Sequence, residues 1–224
     1  MIGHDPAAIT IDAMVKRRWG EFSGITHPRD VGPLMRAIRN YKEDNRFVGS
    51  ALLLSAYLFP RNSELREMKW SEIDWSRKIW EIPGERMKMK RDHLVPLPRQ
   101  AVDILTNVRE WDVGSSLVFP SPRDAKRMVS DMTFNSALRR LGYNNDTHVH
   151  HGFRTTASTN LNELGWNADW IERQLAHVSA NKVRSSYNKA EYIGGRTEMM
   201  QFYADWLDSR AKKTELSVGS VPLP

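Results

Sequence analysis

The chain has no cysteine among its 224 residues. Disulfides and thiolate metal sites are therefore excluded, and a reducing compartment suits it. Long hydrophobic runs are missing as well: ALLLSAYLF at 51–59 is broken by Ser55 and is far too short to span a bilayer. The opening MIGHDPAAIT lacks the basic stretch and apolar core of a secretion signal. No internal repeat or low-complexity tract stands out. Nor is there an acidic excess, since 33 Lys and Arg face 27 Asp and Glu, for a formal charge of +6 and a pI near 9.6. Such a balance suits a polyanionic partner, although many soluble proteins share it. These features predict a soluble intracellular protein, one domain in size, that can bury a sizeable core.

The periodicity is mainly helical. Residues to about Thr26, which include Lys16-Arg17-Arg18, read as a leader or linker remnant (1–27). Asp30, with Pro33 soon after, opens a helical pattern through Leu34, Ile38 and Tyr41. A broad apolar segment from about Phe47 to Phe59 predicts a buried helix, which Pro60 interrupts before a short helix through Glu64, Leu65 and Met68. Between Trp70 and Leu97 the period shortens to that of strands, with a turn at Pro83-Gly84, which predicts a small antiparallel sheet. Trp70, Trp75 and Trp80 lie there at core-packing spacing. Helices resume near 99–109, 130–141, 152–163, 168–176 and 195–212. In the last, Met199, Phe202, Tyr203 and Trp206 form an apolar stripe that packs on its own core or docks on a neighbour. The tail at 213–224 is expected to be mobile. The fold class is therefore α+β, mainly α with a small antiparallel sheet.

Chemistry concentrates in His148-Val149-His150-His151-Gly152-Phe153-Arg154. His151 and Arg154 stand three residues apart, so one helix face presents both. A guanidinium fits phosphate oxygens in pairs, and an imidazole moves protons near neutral pH. Together they suggest chemistry on a phosphodiester. Upstream, Arg61 stands beside Glu64, which can orient it, and Arg86-Met87-Lys88-Met89-Lys90-Arg91 forms a dense basic turn. Downstream, His177 precedes Tyr187 by ten residues. Each feature also has an ordinary reading: a surface ion pair, a solvated turn, a core histidine, a common tyrosine with Tyr192 as its rival. His148, His150 and His151 raise a zinc site, which lacks Cys or well-spaced acidic ligands to complete it. His148 and His150 read instead as helix-entry residues or contacts to a DNA backbone.

In this order, RNSEL at 61–65, RMKMKRDHLVPL at 86–97, HHGFRTTAST at 150–159 and LAH…NKVRSSYNKA at 175–190 resemble the catalytic domain of the tyrosine recombinases, nearest to P4-type prophage and genomic-island integrases. The resemblance covers about 28–212. It implies the catalytic-domain fold of DNA breaking-rejoining enzymes and site-specific recombination, in integration or excision, through a 3′-phosphotyrosine. It makes Arg61 and Arg154 the clamps on the scissile phosphate, Lys88 the proton donor to the leaving 5′-oxygen, and His151 a proton-transfer group. His177 becomes a hydrogen-bonding partner of the phosphate, Tyr187 the nucleophile and Glu64 a brace for Arg61. Arg86, Lys90, Arg91, His148, His150, Lys182 and Arg184 are further candidates for touching DNA. No metal, ATP or other cofactor is implied. The partners implied are double-stranded attachment-site DNA, further copies of the protein up to a tetramer in the full-length synaptic complex, and excisionase or DNA-bending host proteins. The expected location is the bacterial cytoplasm, at the nucleoid. Arm-binding and core-binding domains do not fit before residue 28, so the chain reads as a catalytic domain alone. A type IB topoisomerase, a decayed DNA-binding remnant and a metal-dependent phosphodiesterase are the competing classes.

Overall fold

A computed structural model describes residues 23–87, 90–111, 113–177 and 191–212. The described chain forms α1 (Pro28–Asp44), α2 (Arg46–Leu58) and α3 (Asn62–Arg66), then strands β1 (Ile73–Asp74), β2 (Ile79–Ile82) and β3 (His93–Pro96). These are followed by α4 (Arg99–Glu110), a second hairpin of β4 (Pro120–Ser121) and β5 (Asp124–Met128), and helices α5 (Thr133–Arg140), α6 (Gly152–Glu163), α7 (Ala168–Gln174) and α8 (Ile193–Lys212). Among the described residues, no helix is long and apolar enough to cross a membrane.

α2 is the axis of the core. Every residue from Gly49 to Leu58 is buried, because α1, α4, α5, α6 and α8 pack around it. A helix surrounded on all sides has no polar face to show, which explains its unbroken apolar run. Fully burying a leucine such as Leu52 or Leu54 contributes about 2 kcal/mol. Truncation of Leu54 to Ala costs about 2–5 kcal/mol once the cavity is counted. α1 and α8 lie against each other on one flank. Met199, Tyr203 and Trp206 of α8 are buried in the core, so the stripe packs on its own domain. Phe202 departs from it: the residue is 42% exposed, with its ring 5.3 Å from that of Trp166.

The three-stranded sheet is antiparallel in the order β1-β2-β3, with Trp80 opposite Val95. Trp80 is fully buried and its indole N–H donates to Glu72 at 3.0 Å. Trp70 and Trp75 are only partly buried and stack on each other beside the sheet. The β4–β5 hairpin is an element that periodicity does not reveal. Its second strand, Asp-Ala-Lys-Arg-Met, is almost wholly exposed and so has no alternating apolar face.

Residues 23–26, read from sequence as part of a leader or linker, pack against the start of α6. The Val149 amide donates to the Ser23 carbonyl at 3.2 Å, and Thr156 and Asn160 donate to the carbonyls of Ile25 and Thr26. The two chains touch glycine on glycine. A Cβ on Gly152 would lie 2.4 Å from the Ser23 carbonyl oxygen, and one on Gly24 would lie 2.8 Å from that of Gly152.

Candidate active site

The site is built around the last turn of α7. That helix ends with the Ala176 amide bonded to the Arg173 carbonyl and the His177 amide bonded to the Glu172 carbonyl. Ala176 sits in the left-handed region at φ 48°. This is a Schellman closure, which normally places glycine at that position. It leaves the carbonyls of Gln174, Leu175 and Ala176 to find donors elsewhere. His93 on β3 bonds the Gln174 carbonyl at 3.1 Å. Arg154 reaches the Leu175 carbonyl at 2.6 Å, and Arg61 reaches that of Ala176 at 3.1 Å. The negative end of the α7 dipole thus gathers both guanidinium groups into one place.

Arg61 arrives from the N-cap of α3. The Glu64 carboxylate accepts from its backbone amide at 2.7 Å and from its guanidinium at 2.6 Å. One buried carboxylate therefore caps the helix and aims the arginine. Arg154 comes from the first turn of α6, with only 4% of its surface exposed. Its Nη1 donates to the Phe59 carbonyl at 3.0 Å, where α2 ends in a left-handed residue. Its Nε is buried with no acceptor among the described residues. Burial, and then the nearby charge of Arg61, hold the Arg154 guanidinium down at about 10. Two like charges held together with an unsatisfied donor favour an anion.

The histidines divide into two groups. His177 lies beside the arginines, with its Nε2 3.2 Å from Arg154 Nη2 and its Nδ1 3.0 Å from the Glu172 carboxylate. His151, immediately before α6, is exposed yet held at about 4, by desolvation of the ring and then by Arg154, Arg61 and His177. It is therefore neutral near pH 7 and able to accept a proton. His148 and His150 behave otherwise, which corrects their reading as DNA contacts: they are 0% and 2% exposed. His148 Nδ1 accepts the Ile25 amide, and His150 meets the Ser55 hydroxyl at 2.8 Å while stacking on Phe134. Alternation along the chain turns them into the core. Among the described residues no three His, Cys, Asp or Glu side chains gather as a metal site would require.

Arg86 also needs correction. Its guanidinium is occupied by Glu72, by Glu67 at 3.3 Å and by the Glu64 carbonyl at 2.7 Å. It ties the sheet hairpin to α3 and has no free fork to offer DNA. Lys90 and Arg91 are exposed beyond it. Lys88, Lys182, Arg184 and Tyr187 lie outside the described residues. The rival Tyr192 heads α8, and its carbonyl accepts the Arg196 amide at 2.8 Å.

Sequence reasoning missed two contributors. Glu172 stands five residues before His177, a spacing that becomes a contact only after the helix closes as it does. Arg196, fully buried, links α8 to the Leu94 carbonyl at 2.6 Å, to the Gln174 side chain at 2.6 Å and to the Glu191 carbonyl at 3.1 Å. It lay hidden in the α8 pattern as an apparent surface charge.

Comparison with known proteins gives the family and the fold. Residues 27–192 match the phage integrase family. The integrase of Enterobacteria phage P4 is 42% identical over 178 residues, which are 73% of this chain and 40% of that protein. Among solved structures, the integrase from mycobacterium phage Brujita superposes with a TM-score of 0.59 at 17% identity, over 88% of this chain and 66% of that one. A lambda integrase (75–356) dimer bound to a COC′ core site gives 0.54 at 19%, over 71% and 59% of the two chains. The fold is thus that of a tyrosine recombinase catalytic domain. The chain belongs to the phage integrase family. It spans between 35% and 54% of the length of the curated relatives it matches.

Proposed function

We propose that this domain breaks and rejoins double-stranded DNA by transesterification, within an integrase that inserts or excises a prophage or genomic island. The observation that carries this reading is the convergence of Arg61, Arg154 and His177 on the α7 terminus, with Arg154 buried and one of its donors unsatisfied. A phosphodiester supplies what that cluster lacks, namely two non-bridging oxygens and a charge that grows in the transition state. Tyr187 attacks phosphorus. The phenolic O–H bond breaks, its proton passes to neutral His151, and a tyrosine–phosphorus bond replaces the bond to the 5′-oxygen. Lys88 gives a proton to that leaving oxygen. A 5′-hydroxyl of the partner strand then reverses the sequence. Because bond energy is conserved in the phosphotyrosine, neither metal nor ATP takes part.

DNA attachment sites and further copies of the protein are the partners. The lambda integrase structure, a dimer on a core site, supports this reading. A tetramer at synapsis, an excisionase, DNA-bending host proteins and a place in the bacterial cytoplasm at the nucleoid belong to the same proposal. Lys90, Arg91, Lys182 and Arg184 contact the flanking backbone. The test is a nicked suicide duplex carrying the attachment core, in EDTA, followed by a denaturing gel and peptide mapping. A covalent adduct on Tyr187, absent from Tyr187→Phe, is expected. An adduct on Tyr192, or one that requires metal, overturns the mechanism.

A further inference from the structure

We propose that Glu172 is a positioning residue for the strand-transfer site: its carboxylate fixes His177 in the tautomer whose Nε2 accepts from Arg154, and so steadies the phosphate-clamping guanidinium through the ring. The inference rests on the function proposed above. It begins with the way α7 ends. In a Schellman closure the third residue from the helix end and the second residue beyond it are brought side by side, and that pair is commonly apolar. Here the pair is Glu172 and His177. The Glu172 carbonyl accepts the His177 amide at 3.0 Å, and its carboxylate lies 3.0 Å from His177 Nδ1. The same residue therefore holds both the backbone and the ring of His177.

The proton can be located from the partners. Arginine has donors only, so Arg154 Nη2, 3.2 Å from His177 Nε2, must donate to that nitrogen. Nε2 is then the acceptor, and the ring hydrogen sits on Nδ1, where it donates to Glu172. A carboxylate on one imidazole nitrogen selects the tautomer and the ring orientation at the other. Without Glu172 the ring could flip or change tautomer, and a hydrogen on Nε2 would then face the hydrogens of Arg154. Arg61 and Arg154 supply positive charge on the pocket side of the ring. Glu172 is the carboxylate that balances it on the far side, as Glu64 does at Arg61.

Glu172→Gln keeps an acceptor for Nδ1–H, whereas Glu172→Ala removes it. The expected result for the full chain is a single-turnover adduct rate, on the nicked duplex, that falls about tenfold or more in Glu172→Ala and is largely restored in Glu172→Gln. DNA affinity should stay within about twofold, as for a group that orients but does not touch the phosphate. Nitrogen-15 NMR of the free protein should show His177 protonated at Nδ1 in the wild type and in Glu172→Gln, and a mixture in Glu172→Ala. A wild-type ring protonated at Nε2, or an Ala variant with unchanged rate and tautomer, overturns the proposal. So does an Ala variant whose only change is a lower melting temperature. The NMR result does not depend on cleavage. A protein that forms no Tyr187 adduct but shows the Nδ1 tautomer would sink the recombinase mechanism and leave the Glu172–His177 pairing intact.

Discussion

Lowering the pH toward about 5 will cost this domain much of its stability while most of its carboxylates are still ionised. His93, His148 and His150 are buried and neutral, and desolvation holds them at about 3, 4 and 3, against an ordinary 6.5. A histidine whose folded value is depressed contributes stability that is complete above its unfolded value. That stability is lost as pH falls from there toward the folded value. At about pH 5 each of the three costs about 2 kcal/mol, since one pKa unit is worth about 1.4 kcal/mol. Together they remove about 6 kcal/mol, a large part of the roughly 5–15 kcal/mol that holds a domain of this kind. The assay is urea unfolding followed by circular dichroism between about pH 8 and 5, where the slope of stability against pH counts the protons taken up on unfolding. Between three and four protons are expected near pH 5.5, because His151, held at about 4, adds to the three buried rings. His150→Phe should lower that count by about one. The Ser55 hydroxyl would keep a partner in that variant, because it already donates to the Ala51 carbonyl at 2.7 Å. Stability that stays flat from about pH 7.5 to 5 would refute the reasoning.

Two substitutions test the other corrections and the helix closure. Arg86→Ala leaves the buried Glu72 carboxylate without its cation. It should lower stability by about 3 kcal/mol and leave the salt dependence of DNA binding unchanged, whereas loss of a phosphate contact would reduce that slope by about 0.9. Ala176→Gly relieves a left-handed alanine, worth about 1–2 kcal/mol, against about 0.5–1 kcal/mol of added chain entropy. The melting temperature should rise by about 2 °C with cleavage retained, and a fall would mean that the turn is not strained.

Much of the architecture was legible because burial writes itself into periodicity. α2 shows this through its unbroken apolar run, and α8 through Met199, Tyr203 and Trp206. β5 shows nothing of the kind, since an exposed strand has no pattern to leave. The candidate site followed a similar division. Arg61, Arg154 and His177 could be named in advance because their motifs are local. What holds them could not be named, because the carbonyls of Phe59, Leu175 and Ala176 belong to every residue and mark none. Arg86 misled for the opposite reason. It stands among basic neighbours in the chain, while the acids that occupy it, Glu67 and Glu72, come from an earlier segment. His148 and His150 read as helix-entry residues or DNA contacts, and the entry to α6 turns both rings into the core.

The glycine-on-glycine contact at the start of α6 gives the domain a point without slack. Ser23 and Gly24 lie against the turn that carries His151 and Arg154, with backbone bearing on backbone and no side chain between to absorb a displacement. A side chain at either glycine would have to push the two backbones apart, and a substitution at Gly24, outside every local motif, would therefore disturb the turn that leads into Arg154.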